Sequence, residues 1–400
     1  MDYLQIIKRN TWVYYVTQVL NSLVFTIPIW IVYYQGKISV AEISYLVSAQ
    51  YAAQILLELP SGALADLIGR KNTTLIGTII GAASFLLFPF ATSFWHFFVL
   101  ALMVGVNDSF RSGSEEALLF DTYKQADKEK DFDKMYGNGS IIYQFGLVAA
   151  TALGGVLYQQ SVMLPYVLYG VCLSLAALLT WFYHEPTIDS EIFTFKNYIL
   201  QIRNGSKEIF KTQYTKYLSL FYIFVGGIAW SSTLYFNEYL MTEFVRNDSS
   251  RGFVTAGMRL FNVVLIRSVL QNDKIFGWKS RILLFPIIMI IAYLPGFALD
   301  GIWGVPFVQI AMIATTARWM LLAPLTNQAF SSKYRATAIS SLSLSIGLVY
   351  IVLTTLSAPI ISNFGIGAMY SVLGFFTIVS VIPITVKLLL VSKHKAVLSS

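Results

Sequence analysis

The chain reads as an all-α membrane protein, with twelve transmembrane helices in two pseudo-symmetric bundles of six. Three observations predict this. Of the 400 residues, 56% are hydrophobic and only 12% charged, with a mean hydropathy of +0.63; soluble domains carry about 25% charged residues. A bilayer core takes about 20 apolar residues per helix, and twelve such runs can be marked off along the sequence. When the runs are threaded alternately through a bilayer, the basic residues gather on one side.

The first run, 11–34, follows Lys8 and Arg9. It is too long for a cleaved signal peptide and lacks a small-residue cleavage site. The second and third, 39–59 and 73–92, flank a polar decapeptide. The fourth, 96–119, holds most of the ionisable residues, and the fifth, 138–158, is rich in glycine. The sixth, 163–183, contains the single cysteine, Cys172, which excludes a disulfide framework and a cysteine metal site. A composition break follows at 185–215, where Glu185, Lys196, Arg203, Lys207 and Glu208 alternate with Ile192, Phe193, Tyr198 and Ile202. This pattern reads as a cytoplasmic linker of amphipathic helices on the membrane surface. It separates an N-terminal bundle, 1–184, from a C-terminal bundle, 216–400. The second set of runs is 216–238, 252–270 (interrupted by Arg259 and Arg267), 282–299, 303–326 (with Arg318), 337–361 and 366–390.

With the N-terminus inside, 21 of the 28 basic residues fall in cytoplasmic segments. Only Lys37, Arg246 and Arg251 fall outside, and Arg111, Arg259, Arg267 and Arg318 are intramembrane. The bias obeys the positive-inside rule and places both termini on the cytoplasmic side of a cell membrane. The net charge of +7 is therefore a topology signal and needs no nucleic-acid partner.

The decapeptide Gly62-Ala63-Leu64-Ala65-Asp66-Leu67-Ile68-Gly69-Arg70-Lys71 reads as a short turn between two membrane helices, with Gly62 and Gly69 available for close approach and positive φ. Its pattern G-x-x-x-D-x-x-G-R-K resembles the signature loop of the major facilitator superfamily of secondary transporters. Glu58-Leu59-Pro60-Ser61-Gly62, which leads into it, and Tyr334-Arg335-Ala336-Thr337, which opens the eleventh run, resemble the drug:proton antiporter-like branch. The stretch Gly146 to Gly155 resembles the family's antiporter motif, with Ala150 and Thr151 where the motif has Gly-Pro. The resemblance implies alternating access, with Asp66 capping a helix of the other half, Arg70 pairing with Asp121, and the loop of Gly62, Asp66, Gly69, Arg70 and Lys71 acting as a gate. Asp66 and Asp273, like Arg111 and Arg318, are 207 residues apart, a faint trace of the expected repeat of the two halves.

Ionisable groups inside a membrane cost about 2.5–3.5 kcal/mol each at a helix centre, so they are functional candidates. At 100° per residue, Asp108, Arg111 and Glu115 share one stripe of the fourth helix. Asp108, the deepest, is the candidate proton carrier, with Arg111 tuning it and Glu115 as a further proton-coupling candidate; a self-neutralising packing cluster is the alternative for Glu115 and Glu116. Within the membrane core no acid lies near Arg259 or Arg318 on its own helix. Each must therefore face water, an acid on another helix, or an anionic substrate. Asn21, Tyr143 and Trp230 lie near mid-span and are the uncharged candidates for substrate contact. His96, His184 and His394 fall at helix ends or in the tail, and no metal site or cofactor is expected.

The function expected is proton-coupled export of small amphiphilic or drug-like organic compounds. Proton-linked uptake or exchange of an organic anion is one alternative, and a non-transporting membrane sensor on the same fold is another. With no nucleophile–base motif, nucleotide loop or metal cluster in the sequence, an enzyme is not expected. The expected partners are a small-molecule substrate, protons and the lipid bilayer, and the chain is expected to be a monomer.

Overall fold

The computed structural model describes residues 3–186, 200, 203, 207–265, 278–318, 322, 325–326, 329–330 and 335–398. Residues 187–199, 201–202 and 204–206 of the amphipathic linker expected at 185–215, the end of the eighth run with Arg267, the loop with Asp273, and Tyr334 lie outside these residues. The described residues are helical and contain no strand.

The helices are α1 (Tyr3–Ser22), α2 (Trp30–Gln35), α3 (Val40–Ile68), α4 (Arg70–Leu87), α5 (Phe94–Lys124), α6 (Glu129–Gln160), α7 (Leu164–Thr180), α8 (Gln213–Ser231), α9 (Asn237–Phe244), α10 (Asp248–Leu265), α11 (Trp278–Tyr293), α12 (Val305–Ala317), α13 (Arg335–Phe376) and α14 (Ile382–Leu398). A π-helical turn at Ser232–Phe236 joins α8 to α9, and another at Thr377–Val381 joins α13 to α14. By length and composition, four stretches among the described residues can cross a membrane: Arg70–Phe90, Glu129–Gln160, Gln213–Phe244 and Ala338–Ser392. Shorter apolar helices run over Leu164–Thr180, Ile282–Ala298 and Gly301–Ala317. Bulky apolar side chains such as Leu178, Phe364 and Trp303 face outward. Such surface is unfavourable in water and suits acyl chains.

Local chemistry explains the helix boundaries. Thr212 caps α8 in a reciprocal capping box with Thr215. Pro165 and Pro306 sit in the first turns of α7 and α12, where their missing N–H costs nothing. Gly365, at φ 81°, interrupts α13 and separates the eleventh run from the twelfth.

Three expectations need correction. The run 11–34 is broken, because α1 ends at Ser22 and α2 begins at Trp30. Pro28 lies in the break; it has no N–H and disfavours helical geometry in the residue before it. The decapeptide is helical through Ile68, and Gly69 alone, at φ 93° and ψ 151°, separates α3 from α4. Its other residues are compatible with helix, and only glycine adopts that backbone readily. Arg251, expected in an outer loop, is buried in α10, where its Nε donates to the carbonyl of Pro28 (2.6 Å) and its guanidinium pairs with Asp248.

Contacts divide the chain into two units. The first comprises 1–39, 49–194 and 247–257, and the second 40–48, 195–246 and 258–400. In the first, α4 packs on α5 and α7, and α1 packs on α6 and α7. In the second, α13 packs on α8, α11 packs on α12, and α14 packs on α8. Residues 40–48 are stitched into the second unit by hydroxyls: Ser44 meets Tyr235 at 2.8 Å, and Ser48 meets Thr354 at 2.7 Å.

Candidate functional site

In the first unit, small residues on α4 bring the ionisable stripe of α5 close. Gly77 and Gly81 stand four apart, and a Cβ at Gly81 would lie 2.7 Å from the Asn107 side chain. This small-residue spacing lets helices approach backbone to backbone. It lays Asn107 against α4, where its amide donates to Asp108 at 3.0 Å.

Asp108, Arg111 and Glu115 lie along one stripe of α5, as the spacing requires. Arg111 is within electrostatic reach of both acids and of Tyr143 and Tyr169. The two acids differ in their surroundings. Glu115 is buried, and its carboxylate accepts from Tyr183 (3.0 Å), Thr17 (3.4 Å) and Gln18 (3.3 Å). It thus ties α1 and the residues just past α7 to α5. An aromatic layer lies beside it, with Tyr14 stacked on Tyr136 and Tyr136 on Phe132, and Tyr136 donates to Glu116 at 3.2 Å. Asp108 is half-buried, and among the described residues its one side-chain hydrogen bond comes from Asn107, its neighbour in sequence.

The uncharged candidates are divided between the units. Asn21 is buried in α1, near enough that Tyr169 donates to its backbone carbonyl at 3.4 Å. Tyr143 is half-buried on α6. Trp230, at the end of α8, belongs to the second unit and packs against Arg318.

Arg318, one residue past α12, is 0% exposed, its guanidinium 5.4 Å from the ring centre of Tyr222 and 5.3 Å from that of Trp230. Two ring faces favour a delocalised cation. Arg259 on α10 donates to Glu238 on α9 at 3.2 Å. The acid that serves Arg259 is therefore on the neighbouring helix of the same unit. Sequence reading passed over Glu238 because it lies at the edge of the seventh run.

At the signature sequence, Gly62 is helical, and among the described residues nothing stands within 4 Å of a Cβ built there. Asp66 is exposed in the last turn of α3. Arg70 forms an ion pair with Asp121 of α5 and donates to the carbonyl of Ala117 at 2.7 Å. Lys71 lies over the Trp181 ring at 5.2 Å. Glu185, read in the sequence as one charge of the linker, accepts from the backbone N–H groups of Arg70 and Lys71 at 2.7 Å each. One sequence signal pointed to such a partner: Gly69 stands at the cap position of α4 and has no side chain, so the orphan N–H groups need an acceptor from elsewhere. Nothing in the sequence singled out Tyr183, Thr17 or Gln18 as donors to Glu115.

Comparison with known proteins agrees with this architecture. The Major Facilitator Superfamily family model matches residues 12–334. An MFS-type transporter of Bacillus subtilis, YxaM, is 22% identical over 368 residues, 90% of each chain. The class H tetracycline resistance protein of Pasteurella multocida is 21% identical over 239 residues, 58% of this chain and 57% of that one. Among solved structures, the D323A mutant of the nucleoside transporter NupG superposes with a TM-score of 0.75 at 13% identity, over 96% of this chain and 99% of that one. A bacterial homologue of the lysosomal transporter Spinster gives a TM-score of 0.66 at 16% identity, over 97% and 96%. The chain is thus a multi-pass membrane transporter protein belonging to the Major Facilitator Superfamily.

Proposed function

We propose that this chain is a proton-coupled exporter of small amphiphilic organic compounds, working by alternating access with both termini cytoplasmic, and that Asp108 carries the proton. The observation behind this reading is the contrast between the two acids of α5. Glu115 has its carboxylate engaged by three donors, whereas Asp108 receives one hydrogen bond, from its own neighbour. A carboxylate inside the membrane held by a single local hydrogen bond is suited to gaining and losing a proton, and the nearby Arg111 adjusts how readily it does so. The similarity to a tetracycline resistance protein supports export and a drug-like substrate class. Asn21 and Tyr143, near the same stripe, are the residues proposed to meet the substrate.

Exchange of an organic anion would use Arg318 or Arg259. Arg318 is fully enclosed between two rings and Arg259 is paired with Glu238, so either would have to leave its partners to receive substrate. Export fits the described arrangement better.

The test is transport in proteoliposomes under an imposed pH gradient, with a panel of fluorescent amphiphilic compounds. Asp108→Asn is expected to abolish pH-driven accumulation while the purified protein keeps its thermal midpoint. Undiminished pH-driven transport by Asp108→Asn would remove Asp108 from the coupling.

A further inference from the structure

Between α4 and α7 the first unit carries an apolar groove of about 510 Å³, walled by Leu75, Ile79 and Ala83 on one side and Ala177, Leu178 and Trp181 on the other. From Leu75 to Leu86 it extends about 16 Å along α4. Ser174 brings the one hydroxyl in its lining, and that hydroxyl donates to the carbonyl of Gly170 at 2.8 Å within its own helix. Apart from that hydroxyl and the Trp181 indole N–H the walls are apolar, and Ile79 and Leu178 are exposed on the outer surface of the unit. An acyl chain matches such walls.

The end of the groove has different chemistry. Trp181 and Phe182 are exposed there. The Lys71 ammonium lies over the Trp181 ring, and half-buried Arg9 donates through Nε to the carbonyl of Phe182 at 2.6 Å. Exposed aromatic rings beside cations mark the headgroup level of a bilayer, and basic pockets between helices recognise anionic headgroups. Glu185 occupies the backbone N–H groups at this helix start, leaving the Lys71 ammonium to meet a ligand. Among the described residues no carboxylate pairs with it.

We infer that the groove between α4 and α7 is a binding site for an anionic phospholipid, with one acyl chain along the groove and the phosphate at Lys71 beside Arg9. The inference rests on the chain spanning a membrane and not on the proposed export activity, and the two fail separately because the test below reads binding alone.

Native mass spectrometry of the full-length protein in detergent, titrated with phosphatidylglycerol or with phosphatidylcholine of the same acyl chains, tests it. Retention of phosphatidylglycerol is expected to be about five-fold stronger, the effect of one lysine at a headgroup. Lys71→Gln should bring it down to the phosphatidylcholine level without changing phosphatidylcholine retention. Ala83→Trp should fill the groove and weaken both lipids. Leu178→Ser, at an exposed position, serves the same purpose where the tryptophan prevents folding. Equal retention of the two lipids by the unaltered protein overturns the inference. So does phosphatidylglycerol retention that survives both groove variants, or occupation by neutral apolar compounds with no preference for the anionic lipid.

Discussion

Glu185 closes the N-terminus of α4 from 115 residues away: its two carboxylate oxygens accept the N–H groups of Arg70 and Lys71, each at 2.7 Å. Gly69, at the cap position, has no side chain to do this. The carboxylate satisfies two of the orphan donors and lies where the helix dipole favours negative charge. It also holds the backbone of Arg70 in place, so that the guanidinium can reach Asp121 and the carbonyl of Ala117.

Removing that cap is expected to cost about 1 kcal/mol, the usual scale for a lost capping acceptor. Glu185→Ala should lower the thermal midpoint of the purified protein, and Glu185→Gln, which keeps an oxygen acceptor but loses the charge, should lie between it and wild type. A Glu185→Ala protein as stable as wild type would show that water replaces the carboxylate at no cost.

Gly69 itself is predicted to resist substitution. Its backbone lies in a region that essentially only glycine occupies, and a Cβ would stand 3.1 Å from the Glu185 carboxyl carbon. Gly69→Ala should destabilise by about 1–3 kcal/mol, whereas Gly62→Ala, at a helical position with open space, should be neutral or slightly stabilising. Thermal midpoints of the two variants side by side give the answer.

Glu115 is predicted to act structurally. Glu115→Ala strands the buried hydroxyl of Tyr183 and amide of Gln18, at about 1–3 kcal/mol for the unsatisfied groups, while Thr17 keeps the Tyr14 carbonyl as acceptor at 2.9 Å. Glu115→Gln retains an acceptor and should fold and still move substrate under a pH gradient. Loss of pH-driven transport in Glu115→Gln with unchanged stability would instead make it a proton carrier.

The buried guanidinium of Arg318 is tested by two substitutions. Arg318→Lys puts a compact ammonium where a planar cation lies between two rings, and should lose up to about 2 kcal/mol of cation–π stabilisation. Arg318→Met keeps the bulk without the charge and should fold near wild-type stability. If the charge takes part in transport, Arg318→Met stops it; normal transport by Arg318→Met assigns the residue to packing.

The twelve apolar runs were visible in the sequence because hydrophobic length and charge placement are local properties. The positions where those runs break were harder to see. The interruption at residues 23–29 depends on Pro28 and on Arg251, which reaches its carbonyl from 223 residues away. In the same way, the stripe of Asp108, Arg111 and Glu115 followed from helical spacing alone. What separates the two acids is the set of donors around Glu115, contributed by α1 and by Tyr183 just beyond α7, and no spacing rule brings those together. Glu238 was overlooked because a run boundary drawn from hydropathy passes through it, while its partner Arg259 stood out as a charge within an apolar stretch. Gly69 was recognised as a backbone special, but the helix before it looked like a turn, because Asp66, Arg70 and Lys71 were read as loop residues when Asp66 occupies the last turn of α3 and Arg70 and Lys71 the first turn of α4.

With only one residue between them, α3 and α4 meet at an elbow that has no slack. The 29 residues of α3 make a rod of about 43 Å. Each degree of rotation about the Gly69 backbone therefore swings the far end of that rod by about 0.8 Å. Lengthening the joint by two or three flexible residues would leave both rods intact and let one turn without pulling the other.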